Sequence, residues 1–439
     1  MHSNDEGVET KLRRIAEKAS REPRFQFTSL FHLMNEELLL GCFERLRNDA
    51  AAGIDGVTKA DYTANLAENL QDLVNRLHRM AYRPLPVRRV YIPKPGSTNH
   101  RPLGIPALED KLVQAGLVRI LQAVYEQDFM DDSYGFRPNR GCHDALRALS
   151  RTVENRPVNW IVEADIRGFF DNVDHDRLMA FVAHRIGDQR IQRYIRRFIK
   201  AGIQEDGAWR ASERGTPQGG VISPLLANLY LHYTLDLWFQ RRFQRTCAGG
   251  SRLIRYADDF VVCFQREDDA RRFRLELEQR LEQFGLAVAP EKTKVIAFGA
   301  QAQQWAKAQG VKAETFDFLG FTHYGSRSRN GKRFRMKRKT IGKRFTAKLK
   351  VYKEWLKANR TLPTPEILRK TAAKLRGHYA YYGVTDNIKR LQAFAYETQR
   401  MLFKWLGRRG KRGSYNWEKF RRLLGRFPLP RPRIMVNLI

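Results

Sequence analysis

The chain alternates between hydrophobic patterns typical of helices and patterns typical of strands. Apolar residues at helical spacing predict helices over residues 61–82, 111–129, 175–184, 189–200 and 268–284. Short apolar runs predict a strand beginning at residue 159 and a pair of strands near LAVAP and TKVIAF. Residues 83–106 contain prolines that exclude a helix, and they predict a basic hairpin in which VRRVYIPK and RPLGIP flank a turn at PGST.

A second hairpin is predicted in LIRYADDFVVCF, residues 253–264, where β-favouring residues surround Asp258 and Asp259. Because Asp tolerates positive φ in a two-residue turn, both acids are expected to form that turn. The segment GTPQGG, residues 215–220, predicts a loop. The apolar helix behind it is expected to have Ser223 as its N-cap and Pro224 as its first residue.

These elements predict an α+β fold, with helices on one face of a sheet that contains hairpins. A helical extension is expected over residues 1–50 and a mixed region over 51–325. A basic, largely helical region is expected over 326–439. The last boundary rests on composition, because residues 326–350 contain twelve Lys or Arg and no Asp or Glu.

The formal net charge of +33 favours a polyanionic partner, and nucleic acid fits best because clustered Lys and Arg release its counterions. No apolar run is long enough to span a membrane, and MHSNDEGVETKLRR lacks the apolar core of a signal peptide. The four cysteines form no CxxC pair, which argues against a zinc site or a disulfide framework. We therefore expect a cytoplasmic, nucleoid-associated protein that is not bound to a membrane.

Three acids carry the candidate chemistry. Asp165 ends the apolar strand WIVEAD, and it would meet Asp258 and Asp259 at one end of a sheet if the strands are neighbours. Taken alone, Asp165 could equally be a helix cap or turn acid. Three carboxylates at close range repel one another unless hard divalent cations intervene, and a pair of such cations serves in-line phosphoryl transfer. Together with the basic charge, this pattern predicts a polymerase.

The sequence also resembles a known family. YADD (256–259), VEADIRGFFDNVDH (162–175) and GTPQGGVISPLLANLYLHYTLD (215–236) resemble blocks of the reverse transcriptase–maturase proteins encoded by bacterial group II introns. RPLGIP, SYGFRPNRG, PEKTKV and FLGF match in the same order. The resemblance implies a right-hand polymerase with fingers and palm over residues 51–325 and a thumb and maturase-specific region over 326–439. It also implies two Mg²⁺ ions, replaceable by Mn²⁺, on Asp165, Asp258 and Asp259.

The same resemblance implies four nucleotide-binding residues. Lys94 and Arg101 would hold the triphosphate, Phe170 would exclude a 2′-hydroxyl, and Gln218 would lie beside the sugar. The alternatives are a solvated basic loop for Lys94 and Arg101 and a core position for Phe170; Phe169 is expected in the core. Arg can contact phosphate through two bonds, whereas Lys acts as a point charge.

Contacts to nucleic acid are expected from basic residues elsewhere. Arg137 would contact the template or form a structural salt bridge. The basic region would bind RNA through Lys332, Arg333, Arg335, Lys337, Arg338, Lys339, Lys343 and Arg344, the alternative being a solvated charged face. Tyr379, Tyr381 and Tyr382 would stack on bases or pack between helices, and packing is favoured.

The resemblance implies an enzyme that copies its intron RNA during retrohoming and assists splicing, and the pattern resembles the shorter class without an endonuclease domain. Its expected partners are group II intron RNA, an RNA template with a DNA primer, target DNA and deoxynucleoside triphosphates. Either a monomer or a homodimer is compatible with the sequence. Two other functions stay open, a domesticated reverse transcriptase in defence or DNA repair and a non-catalytic RNA-binding splicing factor.

Overall fold

The computed structural model describes residues 7–93, 100–205, 207–328, 330–409 and 415–438. The helices in these ranges are α1 (Val8–Arg21), α2 (Glu36–Arg45), α3 (Lys59–Thr63), α4 (Leu66–His78), α5 (Leu108–Tyr125), α6 (Cys142–Asn155), α7 (Phe169–Asn172), α8 (His175–Arg185), α9 (Gln189–Ile199), α10 (Ser223–Leu231), α11 (Glu267–Glu282), α12 (Ala300–Ala308), α13 (Gly342–Ala358), α14 (Thr364–Tyr382), α15 (Ile388–Leu406) and α16 (Trp417–Arg426). The strands are β1 (Val87–Pro93), β2 (His100–Ile105), β3 (Trp160–Asp165), β4 (Ile203–Glu205), β5 (Ala208–Arg210), β6 (Ser251–Tyr256), β7 (Asp259–Phe264), β8 (Lys294–Ala297), β9 (Thr315–Phe318), β10 (Phe321–Arg327) and β11 (Phe334–Thr340). This mixture of helices and mainly antiparallel sheets confirms the α+β class.

The central sheet has the strand order β6-β7-β3-β8, and all three pairs are antiparallel. Val162 and Phe260 point into one core, which α8, α10 and α11 also line. Ile161 and Val261 point into a second core, lined by α6 and by the sheet β11-β10-β9. The expectation that helices cover only one face is wrong, because these strands are apolar at consecutive positions and so bury both faces.

Two predicted pairings have different outcomes. β1 and β2 form the basic hairpin in the register Arg88↔Ile105 to Pro93↔His100, as predicted, and the PGST turn lies outside the described residues. The predicted pair of LAVAP with TKVIAF is wrong. β8 pairs with β3 instead, and the LAVAP segment contributes the single bridge Val288↔Ile166.

The N-terminal helices form part of the first core. Leu12 of α1 and Leu38 of α2 are buried in the same cluster as Leu117 of α5. The extension over residues 1–50 is therefore packed against the mixed region that follows, where the structure describes it.

The compositional boundary near residue 325 falls inside a strand. β10 spans Phe321–Arg327 and pairs along its whole length with β11. The basic run thus begins as a hairpin and becomes helical only at α13. The change in composition reflects the charge of one sheet face and does not mark the end of an element.

The C-terminal helices α13 to α16 enclose a separate small cluster that includes Tyr352, Leu368, Leu402 and Phe420. The chain then returns to the end of α14, where Val384 bridges Val436. Among the described residues, no helix combines the length and the apolar character needed to cross a bilayer.

Candidate active site

The three acids predicted as a group lie at one end of the central sheet. Asp165 is the last residue of β3, Asp259 is the first residue of β7, and the two are direct cross-strand partners. Such partners have Cβ atoms about 4.5–5.5 Å apart and point to the same face. Asp258 precedes Asp259 in the turn from β6, so all three carboxylates belong to one sheet edge.

The turn of this hairpin differs from the predicted one. Tyr256 pairs with Asp259, which leaves Ala257 and Asp258 as the two turn residues. The positive φ, 56°, belongs to Ala257. The prediction that both acids form the turn is therefore wrong, because Asp259 is already held in the strand ladder.

Gly135, from the SYGFRPNRG segment, lies directly behind the turn. A Cβ at this position would lie 2.3 Å from the backbone nitrogen of Ala257, so only glycine fits there. Asn228 donates a hydrogen bond from Nδ2 to the Gly135 carbonyl at 2.6 Å. The hairpin tip is thus supported from behind by a backbone that is itself anchored to α10.

Arg255, one residue before the YADD stretch, is fully buried and uses all five guanidinium N–H groups. Nε and Nη2 donate to the Asp236 carboxylate at 2.8 and 2.6 Å. The other N–H groups donate to Asn228, Ser133 and the carbonyl of Ala257. Arg255 therefore ties the Ala257–Asp258 turn to α10 with its continuation and to the segment that contains Ser133, a role that was not predicted.

The electrostatics of the site follow from burial and from repulsion between the acids. The pKa of Asp259 is raised to about 7, first by burial and then by Asp258 and Asp165. Burial also raises the pKa of Asp258, and the charge of Asp165 adds to it. Arg344 and the backbone N–H of Leu319 act in the opposite direction on the pKa of Asp259.

Lys292, from PEKTKV, supplies a cation at this edge. Its ammonium forms a salt bridge with Asp165 Oδ2, and this hydrogen bond raises the pKa of Lys292. A fourth acid, Glu163, lies two residues before Asp165 on the same strand face and accepts a hydrogen bond from the Asp317 N–H at 3.4 Å. Burial raises the pKa of Glu163 to about 7. Neither Lys292 nor Glu163 was predicted. Lys292 is brought to the site from a distant segment, whereas Glu163 could have been found from the alternation of side chains along β3.

These residues fit Mg²⁺ in the kind of donor they offer. Carboxylate oxygens are the ligands that Mg²⁺ prefers. The pKa values of Asp258 and Asp259 are raised first by burial and then by neighbouring acids, and a divalent cation would favour the charged form of both carboxyls. Their side chains are not gathered around one point, however. In the part of the chain that the structure describes, no three His, Cys, Asp or Glu side chains are close enough to hold a metal ion.

The loop at residues 215–220 is hydrogen-bonded to α7, the short helix that carries Phe170 and follows β3. Phe170 is half-buried in α7, and its carbonyl accepts a hydrogen bond from the Thr216 N–H at 2.7 Å. Phe169 is buried in the first core, as predicted. Phe170 therefore sits where the loop and the end of β3 converge, which is compatible with the predicted contact to a sugar.

Gln218 is held close to β2 by the backbone of the loop. Its carbonyl accepts a hydrogen bond from the Gly104 N–H at 2.5 Å, and its Oε1 is buried without a partner in the described structure. Gly219 has a φ of 108°, and a Cβ there would lie 2.3 Å from the Gly104 carbonyl oxygen. Ser223 is the first helical residue of α10 and not its N-cap, which is Ile222; its Oγ donates to the Pro217 carbonyl.

The two predicted phosphate-binding cations cannot both be placed. Arg101 is exposed on β2. Its charge lowers the pKa of Asp258, so it lies near the end of the sheet that carries the three acids. Lys94 lies outside the described residues.

Arg137 forms the structural salt bridge that was one of its two predicted roles. Its Nε donates to Glu126 at 2.9 Å, and its Nη1 donates to the carbonyls of Met130 and Ser133. Only 3% of its side chain is exposed, so it has little surface to offer a template.

The eight basic residues proposed to bind RNA fall into different environments. Exposed positions are occupied by Lys332, Arg333, Lys339, Lys343 and Arg344. Lys337 is half-buried, and Arg335 forms a salt bridge with Glu154 at 3.0 Å. The prediction for Arg338 is wrong. This residue is fully buried opposite His323 and donates to Ser150 Oγ at 2.6 Å, because it shares the inward face of β11 with Met336.

The aromatic residues of LRGHYAYYGVTDN follow the helix-packing alternative. Tyr379 and Tyr382 are buried in the second core, and Tyr381 is half-buried against it. The hydroxyl of Tyr381 donates to the Leu319 carbonyl at 2.9 Å. This contact brings α14 to the FLGF turn, next to Asp259.

Comparison with known proteins gives two matches to family models. The model described as "Reverse transcriptase (RNA-dependent DNA polymerase)" matches residues 92–323, which include the three acids and the loop at 215–220. The model described as "Group II intron, maturase-specific domain" matches residues 343–423, which include most of α13 to α16.

Curated relatives also match about half of the chain. The "Group II intron-encoded protein LtrA" of Lactococcus lactis is 38% identical over 222 residues, which are 50% of this chain and 37% of LtrA. "Protein YkfC" of Escherichia coli is 37% identical over 283 residues, which are 57% of this chain and 74% of YkfC. An "Uncharacterized 91 kDa protein in cob intron" of Schizosaccharomyces pombe is 34% identical over 200 residues, 46% of this chain and 24% of that protein. The match thus spans well under half of LtrA.

Proposed function

We propose, given that the chain belongs to the reverse transcriptase (RNA-dependent DNA polymerase) family, that it extends a DNA primer along an RNA template and is encoded by a group II intron. The observation that carries this proposal is the cross-strand pair of Asp165 and Asp259, with Asp258 in the adjoining turn. All three lie within the segment that resembles the family.

Asp165, Asp258 and Asp259 would hold two Mg²⁺ ions. Such a pair activates the attacking hydroxyl and stabilises the leaving oxygen in phosphoryl transfer. The protein's own contribution is to position these carboxylates: β3 and β7 hold two of them in register, and Arg255 fixes the turn that carries the third.

The remaining site residues would bind and select the nucleotide. Arg101, with Lys94, would contact the triphosphate, and the backbone at Gln218 would border the sugar. Phe170 would exclude a 2′-hydroxyl by its bulk, since it stands in α7, whose backbone is hydrogen-bonded to the loop at residues 215–220. We assign fingers and palm to residues 51–325 and thumb and maturase-specific functions to 326–439, with β10 crossing the boundary.

Intron RNA is the proposed second ligand. The match to the maturase-specific domain, the relation to LtrA and the net charge of +33 all favour RNA binding by the C-terminal region. RNA copying during retrohoming, with target DNA as a further partner, extends this proposal. The exposed cations Lys332, Arg333, Lys339 and Lys343 are suited to phosphate contacts.

The proposal is tested with Asp258→Ala and the matched control Asp176→Ala, whose side chain is 90% exposed on α8. Deoxynucleotide incorporation on an RNA template should be lost in the first variant and retained in the second. Splicing of intron RNA should persist in both, because it depends on binding surfaces and not on the acids. Full primer extension by Asp258→Ala would overturn the proposal, and a wild type that promotes splicing without extending primers would support the non-catalytic splicing factor instead.

A further inference from the structure

The turn between β9 and β10 is a strained connection next to the catalytic acids. Phe318 pairs with Phe321, which leaves Leu319 and Gly320 as a two-residue turn. Both have positive φ, 47° and 86°, as a type I′ turn requires. A leucine in this conformation is sterically unfavourable, so the position needs support from its surroundings.

β9 brings this turn to the end of the central sheet that carries Asp165, Asp258 and Asp259. The strand packs against β3 and β7, and its Asp317 N–H donates to Glu163 Oε2 at 3.4 Å. Leu319 lies two residues further along the chain, directly after β9 ends. Its backbone N–H is close enough to the Asp259 carboxyl to lower the pKa of that group.

The opposite side of the same residue is held by α14. The Leu319 carbonyl accepts a hydrogen bond from the Tyr381 hydroxyl at 2.9 Å. The Tyr381 ring stacks on Phe321 at 6.1 Å between centroids, and its own carbonyl contacts His143 Nε2 at 2.8 Å. One residue, Leu319, is thus placed between a catalytic carboxylate and a fixed tyrosine.

A second contact from the C-terminal region reaches the same place. A Cβ on Gly320 would lie 3.1 Å from Arg344 Nη1 and 3.3 Å from the Tyr382 hydroxyl. The turn is therefore enclosed by α13 and α14 and is not free to move independently of them.

We propose that Tyr381 is a positioning residue of the polymerase site, which holds Asp259 through the Leu319 peptide and so makes α14 part of the catalytic framework. This inference rests on the proposed function, since it takes Asp259 as a metal ligand. Without the Tyr381 hydroxyl, the Leu319–Gly320 turn loses the bond that stabilises its strained backbone. The Leu319 N–H is then no longer held against Asp259, and the carboxylate is less well ordered for a metal ion.

The experiment compares Tyr381→Phe with Tyr379→Phe, each of which removes one hydroxyl from α14. The Tyr379 hydroxyl is buried and has no partner in the described structure, so its removal is the matched control. Mn²⁺ binding is measured by electron paramagnetic resonance of the free ion, and primer extension is measured across a Mg²⁺ titration.

Tyr381→Phe should weaken Mn²⁺ binding and raise the Mg²⁺ concentration for half-maximal extension about 3- to 10-fold, the range expected for losing one hydrogen bond. At saturating Mg²⁺ its rate should return to within about twofold of the wild type, since the acids themselves remain. Tyr379→Phe should match the wild type in both measurements.

Unchanged Mn²⁺ binding in Tyr381→Phe would overturn the inference, even if its activity were lower at every Mg²⁺ concentration. The Mn²⁺ measurement does not need a polymerase. If the wild type bound Mn²⁺ but extended no primer, the proposed function would fail while the positioning role of Tyr381 would still be decided by the binding comparison.

Discussion

The buried pair of Arg255 and Asp236 supports the hairpin of β6 and β7, and its removal should destabilise the whole chain. Only 0% and 2% of the two side chains are exposed. In Asp236→Ala the guanidinium would keep its charge inside the core without a counter-charge. Breaking a buried pair by removing one partner typically costs about 3–5 kcal/mol. That is a large part of the roughly 5–15 kcal/mol by which proteins are stable.

The measurement is urea denaturation followed by circular dichroism, with the free energy of unfolding extrapolated to water. Glu397→Ala is the matched control, since it also replaces an acid by alanine within a helix. Its partner Arg400 is 56% exposed and Glu397 itself 35%. An exposed pair of this kind contributes about 0–1 kcal/mol, so the control should unfold close to the wild type. If the free energy of unfolding falls by the same small amount in both variants, the assigned role of the buried pair is refuted.

A double variant separates stability from positioning. Arg255→Met with Asp236→Leu leaves no charge in the core, and such replacements are often neutral or stabilising. We expect it to regain most of the lost stability. Primer extension should stay at least about tenfold below the wild type, because the Ala257 carbonyl loses its donor and small displacements of reacting groups are costly. Recovery of both stability and activity would show that Arg255 does not position the turn.

Three further outcomes are expected. Phe170→Ala should admit ribonucleotides in primer extension, and unchanged discrimination would assign Phe170 to packing alone. Burial raises the pKa of Asp110 to about 7, so the folded state keeps the carboxyl proton where the unfolded state loses it. The free energy of unfolding should therefore fall by up to about 4 kcal/mol from pH 4 to pH 7. Asp110→Asn should flatten that slope, measured by urea titrations at each pH. Arg338→Met should alter stability while leaving the salt dependence of RNA binding unchanged. Lys339→Ala should leave stability unchanged and make that dependence shallower, and the reverse pattern would contradict the burial of Arg338.

The elements that depend on local pattern were predictable from the sequence. The β-favouring residues on both sides of the two acids in LIRYADDFVVCF predict a hairpin, and the apolar run before Asp165 predicts a strand that ends at an acid. Their pairing in one sheet follows once both are accepted as strands. The turn was misassigned because Asp usually takes positive φ in preference to Ala. At this site the positive φ belongs to Ala257. Asp258 occupies the second turn position, and Asp259 is the first residue of β7.

Burial of charged residues could not be predicted in the same way. Arg338 stands in a stretch whose composition suggests an exposed basic surface, whereas Arg255 stands in the apolar stretch LIRYADDFVVCF as its one cation. For Arg338, the alternation of β11 gives a signal, since it shares a face with Met336 and Thr340. For Arg255 the counter-charge lies 19 residues earlier, in a π-helical segment that continues α10, and no local pattern indicates that the two meet.

Two strained turns lie beside the three acids, and the buried contacts of Arg255 and Tyr381 each support one of them. Ala257 and Leu319 are both non-glycine residues with positive φ, and each lies beside a catalytic carboxylate. Such conformations persist only where the surroundings enforce them. Arg255 donates to the carbonyl of Ala257, and Tyr381 donates to the carbonyl of Leu319. The first donor is anchored beside α10 and the second in α14, so the acids that β3 and β7 present are held from both sides of the central sheet. A change that loosens either donor should therefore disturb the geometry of the acids before it unfolds the sheet.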